Sequence, residues 1–280
     1  MIAVQFCKMH GLGNDFILLE DLKDSGRDYA ALAKRLCDRH TGIGADGILV
    51  VLPSHKADLR MRIVNCDGSE AEMCGNGVRC FARYAWERRL ITKHEFTVET
   101  LAGIVQPQLS IEGAKVTAIT IAMGKPRLER QAIPMLGPAG QVLGEELLTA
   151  TGNYKITSMF MGVPHTVVFV ENAARTAIEK IGPQIERHAA FPEGTNVNFV
   201  EILNRHEIFV RTWERGAGPT LACGTGCCAS VVAAWLNGLT ERQVTVRLPL
   251  GELCIEYAAD ETVRMTGPAA YSFSGNCENS

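Results

Sequence analysis

The sequence predicts an α+β fold that is built twice, as two similar domains joined near the middle of the chain. Residues 74–86 read CGNGVRCFARYAW and residues 223–235 read CGTGCCASVVAAW, so a cysteine, a Gly-x-Gly and a helix-forming run recur 149 residues apart. The elements before this phrase recur at offsets of 146 and 148 residues, with helices starting at 28 and 174 and strands at 59 and 207. Because the offset stays nearly constant over about fifty residues, a duplicated domain is favoured over a chance repeat.

The first half reads as strands with one helix ahead of the phrase. The runs IAVQFCK and FILLE alternate like strands and flank HGLGNDF, a glycine-marked turn. Residues 28–39 carry apolar side chains at helical spacing, ILVVL reads as a buried strand, and residues 59–65 alternate again. Residues 96–123 predict a meander of short strands broken at Gly103 and Gly113.

The second half repeats this order after a segment rich in proline and glycine. Residues 124–140 lack periodicity, which makes them the predicted domain boundary. After them, KITSMFMGVPHTVVFV predicts strand, turn and strand, and NAARTAIEKIGPQIERH predicts a helix. NVNFVEI and HEIFVRTWE predict two further strands before the second phrase.

Composition and charge narrow the class of protein. With 46% apolar and 21% charged residues the chain is typical of a soluble globular protein. A net charge of −3, with dispersed lysines and arginines, gives no basic field for nucleic acid. The N-terminus lacks a signal-peptide core and no stretch is long enough to cross a bilayer, so we expect a cytoplasmic protein without a membrane partner. In a reducing compartment the ten cysteines are thiols.

Common cofactor motifs are missing or in the wrong context. Residues 42–47, GIGADG, satisfy G-x-G-x-x-G, but they follow a predicted helix and open a strand, the reverse of a dinucleotide site. The sequence contains no GxxxxGK[ST], no HExxH and no paired CxxC. No pyridoxal-type lysine motif stands out either. We therefore expect neither a cofactor nor a metal ion.

The two cysteines of the repeated phrase are the candidate reactive groups. Cys74 and Cys223 each precede a Gly-x-Gly that begins a predicted helix. A helix N-terminus carries partial positive charge, which binds anions and lowers the pKa of a thiol. Pseudo-twofold symmetry would make the thiols face each other across an inter-domain cleft, one accepting a proton and the other donating one. This pattern predicts inversion of an amino-acid stereocentre, whereas a buried inert thiol is the alternative.

Five blocks resemble diaminopimelate epimerase and run from residue 8 to about 229. They are KMHGLGNDF (8–16), DRHTGIGADG (38–47), NCDGSEAEMCGNGVRCFARY (65–84), FPEGTNVNFVEI (191–202) and WERGAGPTLACGTGCCA (213–229). The resemblance implies two pseudo-symmetric α/β domains, each a mostly antiparallel sheet curled round a central helix, with the active site between them. It implies that the halves are 1–121 with 267–280, and 122–266. It also implies that the chain can form a homodimer.

The resemblance assigns roles to individual residues. Cys74 and Cys223 would act as base and acid, exchanging roles with reaction direction. Backbone amides would hold the reacting carboxylate, at Gly75, Asn76, Gly224 and Thr225. Side chains would contact the substrate at Asn14, Asn65, Asn196, Glu214 and Arg215, while His165 and Glu214 would help to deprotonate the thiols. The alternatives are that Asn14 and Asn65 are turn or strand-end residues and that Arg215 is a surface charge.

One departure concerns the substrate. The family usually has Gly-Asn-Pro-His where this chain has GVPH, and the resemblance makes that asparagine a contact for the distal amino-acid group of the substrate. Val163 cannot hydrogen-bond through its side chain. The expected reaction is conversion of LL- to meso-2,6-diaminopimelate in lysine biosynthesis. Val163 motivates an alternative, epimerisation of another amino acid by the same two thiols. A non-catalytic thiol redox or metal-binding protein is a further alternative, although no cysteine spacing here matches a CxxC site.

Overall fold

A computed structural model describes residues 4–113 and 115–277. The chain divides into two units, Met1–Ile121 with Gly267–Ser280, and Ala122–Thr266. The change of unit falls just before the segment rich in proline and glycine, which contains a short 3-10 turn at Arg130–Ala132. No helix in the described ranges is long and apolar enough to cross a membrane.

Strands outnumber helices in both units. In chain order the strands are β1 (Val4–Gly11), β2 (Asn14–Glu20), β3 (Gly47–Leu52), β4 (Leu59–Asn65), β5 (Glu70–Ala71), β6 (Val98–Thr100), β7 (Gly103–Val105), β8 (Gln108–Glu112), β9 (Lys115–Gly124), β10 (Val142–Thr149), β11 (Gly152–Met161), β12 (Val163–Phe169), β13 (Asn196–Asn204), β14 (Glu207–Glu214), β15 (Gly218–Thr220), β16 (Gln243–Leu248), β17 (Gly251–Tyr257), β18 (Val263–Gly267) and β19 (Ala270–Cys277). The helices are α1 (Tyr29–Leu36), α2 (Gly75–Glu87), α3 (Ile178–Glu186) and α4 (Gly224–Leu236).

The two sheets share the same order over seven strands, and the second sheet continues through three more. Among the described residues the first sheet runs β19-β1-β2-β3-β4-β6-β7, with β5 paired to β4. The second runs β10-β11-β12-β13-β14-β16-β17-β18-β9-β8, with β15 paired to β14. Most pairs are antiparallel, and the parallel pairs β2/β3 and β4/β6 recur as β12/β13 and β14/β16. The predicted fold class, a mostly antiparallel α+β duplication, is confirmed.

Each parallel pair is joined by a helix, as a parallel crossover requires. Helix α1 connects β2 to β3 and α3 connects β12 to β13, while α2 and α4 precede β6 and β16. Asp28 caps α1 by accepting a hydrogen bond from the Ala31 N–H at 3.0 Å. Helices α2 and α4 have the same length, 13 residues. The duplication therefore extends from the phrase to the whole order of elements.

Helix α3 starts later than the sequence predicts. The apolar spacing indicated a start at 174, but the helix begins at Ile178. Asn172 holds the preceding residues in a turn, because its side chain accepts from the Arg175 N–H at 2.8 Å and its carbonyl from the Thr176 hydroxyl at 2.7 Å. Asparagine commonly stabilises such turns in competition with a helix.

The first sheet is covered on both faces. Ile17 and Leu19 pack with α1 in one cluster that includes Ile48 and Val50. Their neighbours point to the opposite face, because side chains alternate along a strand. A Cβ on Gly77 of α2 would lie 3.2 Å from Leu49 and 3.7 Å from Phe16. The cysteine-led helix α2 thus packs directly on the middle of its sheet.

Helix α4 is buried along almost its whole length. Every residue from 226 to 234 is buried, in the run GCCASVVAA. A helix that is apolar all round is one that is enclosed on all sides. Its small side chains let neighbouring backbone approach closely, and its N-cap residue Cys223 is buried with it.

Candidate active site

Cys74 is the N-cap residue of α2. Its backbone is extended (φ −143°, ψ 115°), and its carbonyl accepts from the Val78 N–H at 2.8 Å, which closes the first helical turn. Its side chain turns to Asn14, with Sγ 3.6 Å from Oδ1. The helix N-terminus, with Gly75 and Asn76 as its first residues, therefore lies directly beside the thiol.

Of the predicted contact residues in the first unit, Asn14 and Asn76 lie beside Cys74. Asn14 lies at the start of β2, and its Oδ1 also accepts from Asn76 Nδ2 at 3.1 Å. Asn65, at the end of β4, instead donates from Nδ2 to Ser69 Oγ at 3.0 Å. The first unit thus brings Asn14, Cys74 and Asn76 together, while the described contact of Asn65 is within its own turn.

Cys223 is the N-cap residue of α4, in the corresponding position of the second unit. It is 6% exposed, and its Sγ lies 3.6 Å from Thr225 Oγ1. Burial raises the pKa of this thiol well above its usual value, and the negative charge of Glu214 raises it further. The Thr225 hydroxyl and the Gly226 N–H act in the opposite direction and are outweighed.

The expectation of a lowered thiol pKa is therefore wrong for Cys223. The helix terminus does supply the predicted stabilising groups, but transfer of an ionised thiolate out of water is the larger effect. In this state Cys223 is a protonated thiol. A thiolate at this position requires a change in its surroundings.

The remaining predicted residues of the second unit lie on β12, β13 and the end of β14. Asn196 Oδ1 accepts from the Arg215 backbone N–H at 2.7 Å, and the parallel register pairs Asn196 with His165. Glu214 Oε1 accepts from the Thr220 hydroxyl at 2.5 Å. Arg215 is exposed, and its Nη1 donates to the Glu193 carbonyl at 2.7 Å.

His165 is held by a residue that the sequence prediction missed. Asn198 Nδ2 lies 3.1 Å from His165 Nδ1, and Asn198 Oδ1 accepts from the Thr212 hydroxyl at 3.0 Å. With this amide orientation the ring proton of His165 is on Nε2, which is buried and has no hydrogen-bond partner among the described residues. The pattern NVNF was the available signal, since positions two apart in a strand share a face.

Two further polar residues escaped prediction in the first unit. Arg79, on α2, is fully buried and donates from Nη2 to Asn76 Oδ1 at 2.9 Å. Asp46, in the GADG turn before β3, accepts from Asn14 Nδ2 at 2.7 Å. A charged residue inside a helix-forming run gave a weak signal for Arg79. Nothing in the sequence alone paired Asp46 with Asn14, 32 residues away.

The buried state of His165 predicts a loss of stability in acid. Burial, and then the positive charge of Arg215, lowers its pKa from 6.5 to about 3. Between these pH values the unfolded chain binds a proton that the folded chain does not, so stability falls as pH drops. We expect His165 to contribute up to about 1.4 kcal/mol per pH unit to this fall.

Urea unfolding at several pH values from 7 to 4 measures this effect. His165→Gln should show a shallower fall than the wild type, whereas a variant of the exposed His206, His206→Gln, should follow the wild type. Equal slopes for all three proteins would show that His165 is not a neutral buried group.

Comparison with solved structures identifies the fold. A phenazine biosynthesis protein of the PhzF family from Bacillus anthracis matches with a TM-score of 0.72 at 16% identity, covering 99% of this chain and 100% of that one. A probable proline racemase from Agrobacterium radiobacter matches with a TM-score of 0.69 at 17% identity, covering 99% and 93%. At this level of identity the likeness concerns the fold.

Sequence comparison identifies the family. The family model described as diaminopimelate epimerase matches residues 6–129 and 157–272. The diaminopimelate epimerase of Pelotomaculum thermopropionicum is 52% identical over 274 residues, covering 97% of this chain and 98% of the relative. That of Desulfitobacterium hafniense is 51% identical over 275 residues, covering 97% of each.

Taken with the two cysteine-led helices, these relatives define an amino-acid epimerase, a class of isomerase. The chain belongs to the diaminopimelate epimerase family.

Proposed function

We propose that the protein interconverts LL- and meso-2,6-diaminopimelate without a cofactor, as a step of lysine biosynthesis. The substrate follows from the family and its named members. The observation that carries the mechanism is that Cys74 and Cys223 are the N-cap residues of equivalent helices, each opening with Gly-x-Gly. A pair of equivalent thiols suits a reaction whose forward and reverse directions differ only in the configuration of the reacting carbon.

In the proposed reaction the two thiols act on opposite faces of one α-carbon. A thiolate takes the α-proton, so that the C–H bond breaks and an S–H bond forms. The second cysteine gives its proton to the other face, and its S–H electrons remain on sulfur as a thiolate. The configuration is inverted, and while the product is bound the two cysteines have exchanged protonation states, as the reverse reaction requires.

The helix N-termini would stabilise the charge that develops during proton removal. Backbone N–H groups of Gly75 and Asn76, and of Gly224 and Thr225, stand at these termini. Such groups bind a carboxylate and favour negative charge on it. Their contribution is largest as the α-carbon becomes a carbanion, because that charge spreads onto the carboxylate.

The buried Cys223 thiol needs a proton acceptor before it can act as a base. Glu214 is our candidate, since its charge already acts on the Cys223 thiol. His165 is the second candidate, as the resemblance implies, but its lowered pKa makes it a weak base in this arrangement, so it can accept a proton only after its surroundings change. The side chains of Asn14, Asn65, Asn196 and Arg215 complete the proposed contacts, with the Arg215 guanidinium suited to the distal carboxylate.

Val163 is the residue through which distal recognition can be tested. It begins β12 beside Gly162, whose φ of +79° forms the turn from β11. We expect Val163→Asn to lower KM for diaminopimelate about 2- to 10-fold with kcat unchanged, because a hydrogen bond to the distal end acts equally on substrate and transition state.

Steady-state kinetics of both variants, Val163→Asn and Val163→Ala, check this expectation. The alanine variant removes the valine side chain without adding a polar group, so its KM should not fall. A Val163→Asn enzyme with an unchanged KM would show that this position does not contact the distal end of diaminopimelate.

We place the enzyme in the cytoplasm. The ten cysteines are thiols rather than disulfides among the described residues, which suits the reducing cytoplasm, where the catalytic thiols would stay reduced. We expect the enzyme to act there as a homodimer.

Product analysis tests the function directly. Purified enzyme, stripped of metal and pyridoxal phosphate, is incubated with LL-diaminopimelate, L-proline or trans-4-hydroxy-L-proline, and the stereoisomers are separated by chromatography. We expect meso-diaminopimelate to form and the proline substrates to stay unchanged. Conversion of a proline substrate alone would favour the alternative racemase.

A further inference from the structure

Two side-chain amides beside Cys74 are held between a guanidinium and a carboxylate. Arg79 Nη2 donates to Asn76 Oδ1 at 2.9 Å, and Asn76 Nδ2 donates to Asn14 Oδ1 at 3.1 Å. Asn14 Nδ2 then donates to Asp46 Oδ2 at 2.7 Å. A guanidinium can only donate and an ionised carboxylate can only accept, so both ends impose the same orientation on the two amides.

This orientation decides what Asn14 presents to Cys74. Its oxygen, not its N–H, lies 3.6 Å from Sγ. An amide oxygen accepts a hydrogen bond from a thiol but repels a thiolate. We infer that Asp46 and Arg79 are positioning residues that keep the Asn14 oxygen toward Cys74, so that Cys74 rests as the protonated thiol. The inference rests on the proposed function in that it names the resting form of one catalytic thiol.

Both ends of this hydrogen-bonded chain are anchored. Arg79 is fully buried and donates from Nε to the Pro268 carbonyl at 3.0 Å. Asp46 Oδ1 accepts from Arg39 Nη2 at 2.8 Å. A Cβ on Gly11 would lie 3.0 Å from Arg79 Nη2, so glycine at that position lets β1 lie close to the Arg79 guanidinium. Neither end is free to turn and release the amides.

Charged side chains on several elements surround the hydrogen-bonded series from Arg79 to Asp46. Lys8 on β1, Asp15 on β2 and Arg39 in the turn after α1 lie behind Asp46. Helix α2 carries Arg79 and Arg83, and the Cys80 thiol lies six residues beyond Cys74. Asp15 is the carboxylate most similar to Asp46, because both accept from Arg39 Nη2 at 2.8 Å. Asp15 does not contact Asn14 through its side chain, which makes it the matched control for the charge of Asp46.

The resting thiol has a consequence for the order of events. Cys223 is held protonated by burial, and Cys74 by the facing amide oxygen. Neither cysteine is then a thiolate in the free enzyme, and the base forms only when substrate is bound, as one thiol passes its proton to an acceptor, for which Glu214 beside Cys223 is the candidate. Such an enzyme keeps its reactive thiols in their less nucleophilic form between turnovers.

Alkylation by iodoacetamide, followed by peptide mapping, measures the thiolate content of Cys74 without substrate. In the wild type we expect slow alkylation at pH 7 that rises steeply with pH. Asp46→Asn and Asn76→Ala each remove one anchor of Asn14 and should change the rate less than about threefold. Together they free Asn14 to turn its N–H to sulfur, and Asp46→Asn/Asn76→Ala should react about tenfold faster, equivalent to about 1.4 kcal/mol.

The control is Asp15→Asn/Asn76→Ala, which has the same charge change but keeps Asp46. It should react within about twofold of the wild type, and circular dichroism checks that both double variants are folded. Equal rates for the two double variants would overturn the inference, as would wild-type Cys74 alkylation that is as fast at pH 6 as at pH 8. The wild-type profile decides the resting form even if a variant fails to fold.

The proposed function fails by a different measurement. Alkylation needs no diaminopimelate, so the rates stand whether or not the enzyme turns that substrate over. Absence of epimerisation by the wild type would overturn the proposed function and leave the resting state of Cys74 as measured.

Discussion

Cys74→Ala and Cys223→Ala are each expected to lower the rate of epimerisation about 10²- to 10⁴-fold. Inversion needs an acceptor on one face of the α-carbon and a donor on the other, and one thiol cannot serve both. The rate of meso-diaminopimelate formation at saturating LL-diaminopimelate measures the loss. Both variants should stay folded, because each cysteine is an N-cap residue outside the helical run it precedes.

Cys66→Ser is the matched control for these substitutions. Cys66 is an exposed thiol of the same unit as Cys74, directly after β4. Its replacement should leave the rate unchanged. Normal turnover by either alanine variant would contradict the assignment of two catalytic thiols.

Gly226→Ala should be far more damaging than the same change at the equivalent position of the first unit. A Cβ on Gly226 would lie 2.4 Å from Asn198 Oδ1 and 3.2 Å from Cys223 Sγ. Asn198 cannot simply turn away, because it is bonded to Thr212 and His165. We expect a destabilisation of about 1–3 kcal/mol from overpacking, and about a 10²-fold loss of kcat from displaced side chains.

Gly77→Ala provides the comparison that the duplicated fold offers. Its Cβ would meet Leu49 at 3.2 Å and the Cys74 Cβ at 3.6 Å, distances that small shifts relieve. The gain in helix propensity from alanine, about 1 kcal/mol, should offset most of the strain. Urea unfolding and kcat of the two variants decide the matter, and similar losses in both would contradict the described packing around Gly226.

Local pattern was enough to predict much of the fold. Strands were predicted to start at 59 and 207, and the structure begins β4 and β14 at those residues. Alternation and helical spacing report on burial of a face, which is a local property. The start of α3 was missed because it depends on hydrogen bonds from Asn172 that compete with the helix.

The candidate site was predictable where it depends on the repeated phrase, and less so where it depends on pairing between distant elements. The phrase predicted that Cys74 and Cys223 stand at helix N-termini. It could not predict the raised pKa of Cys223, because that follows from enclosure of α4 by its sheet. The partners Asp46 and Asn198 reach Asn14 and His165 across strands, which spacing along the chain does not reveal.

Exchange of the α-proton in heavy water tests the central claim most directly. Pure, reduced enzyme, free of metal and pyridoxal phosphate, is incubated with LL-diaminopimelate in D₂O, and the α-proton signal is followed by NMR. Because a solvent-exchangeable thiol donates to the face opposite the one that lost its proton, we expect each inverted centre to carry deuterium from the first turnover. Inversion with full retention of the α-proton, or no loss of its signal over long incubation, would contradict the two-thiol account.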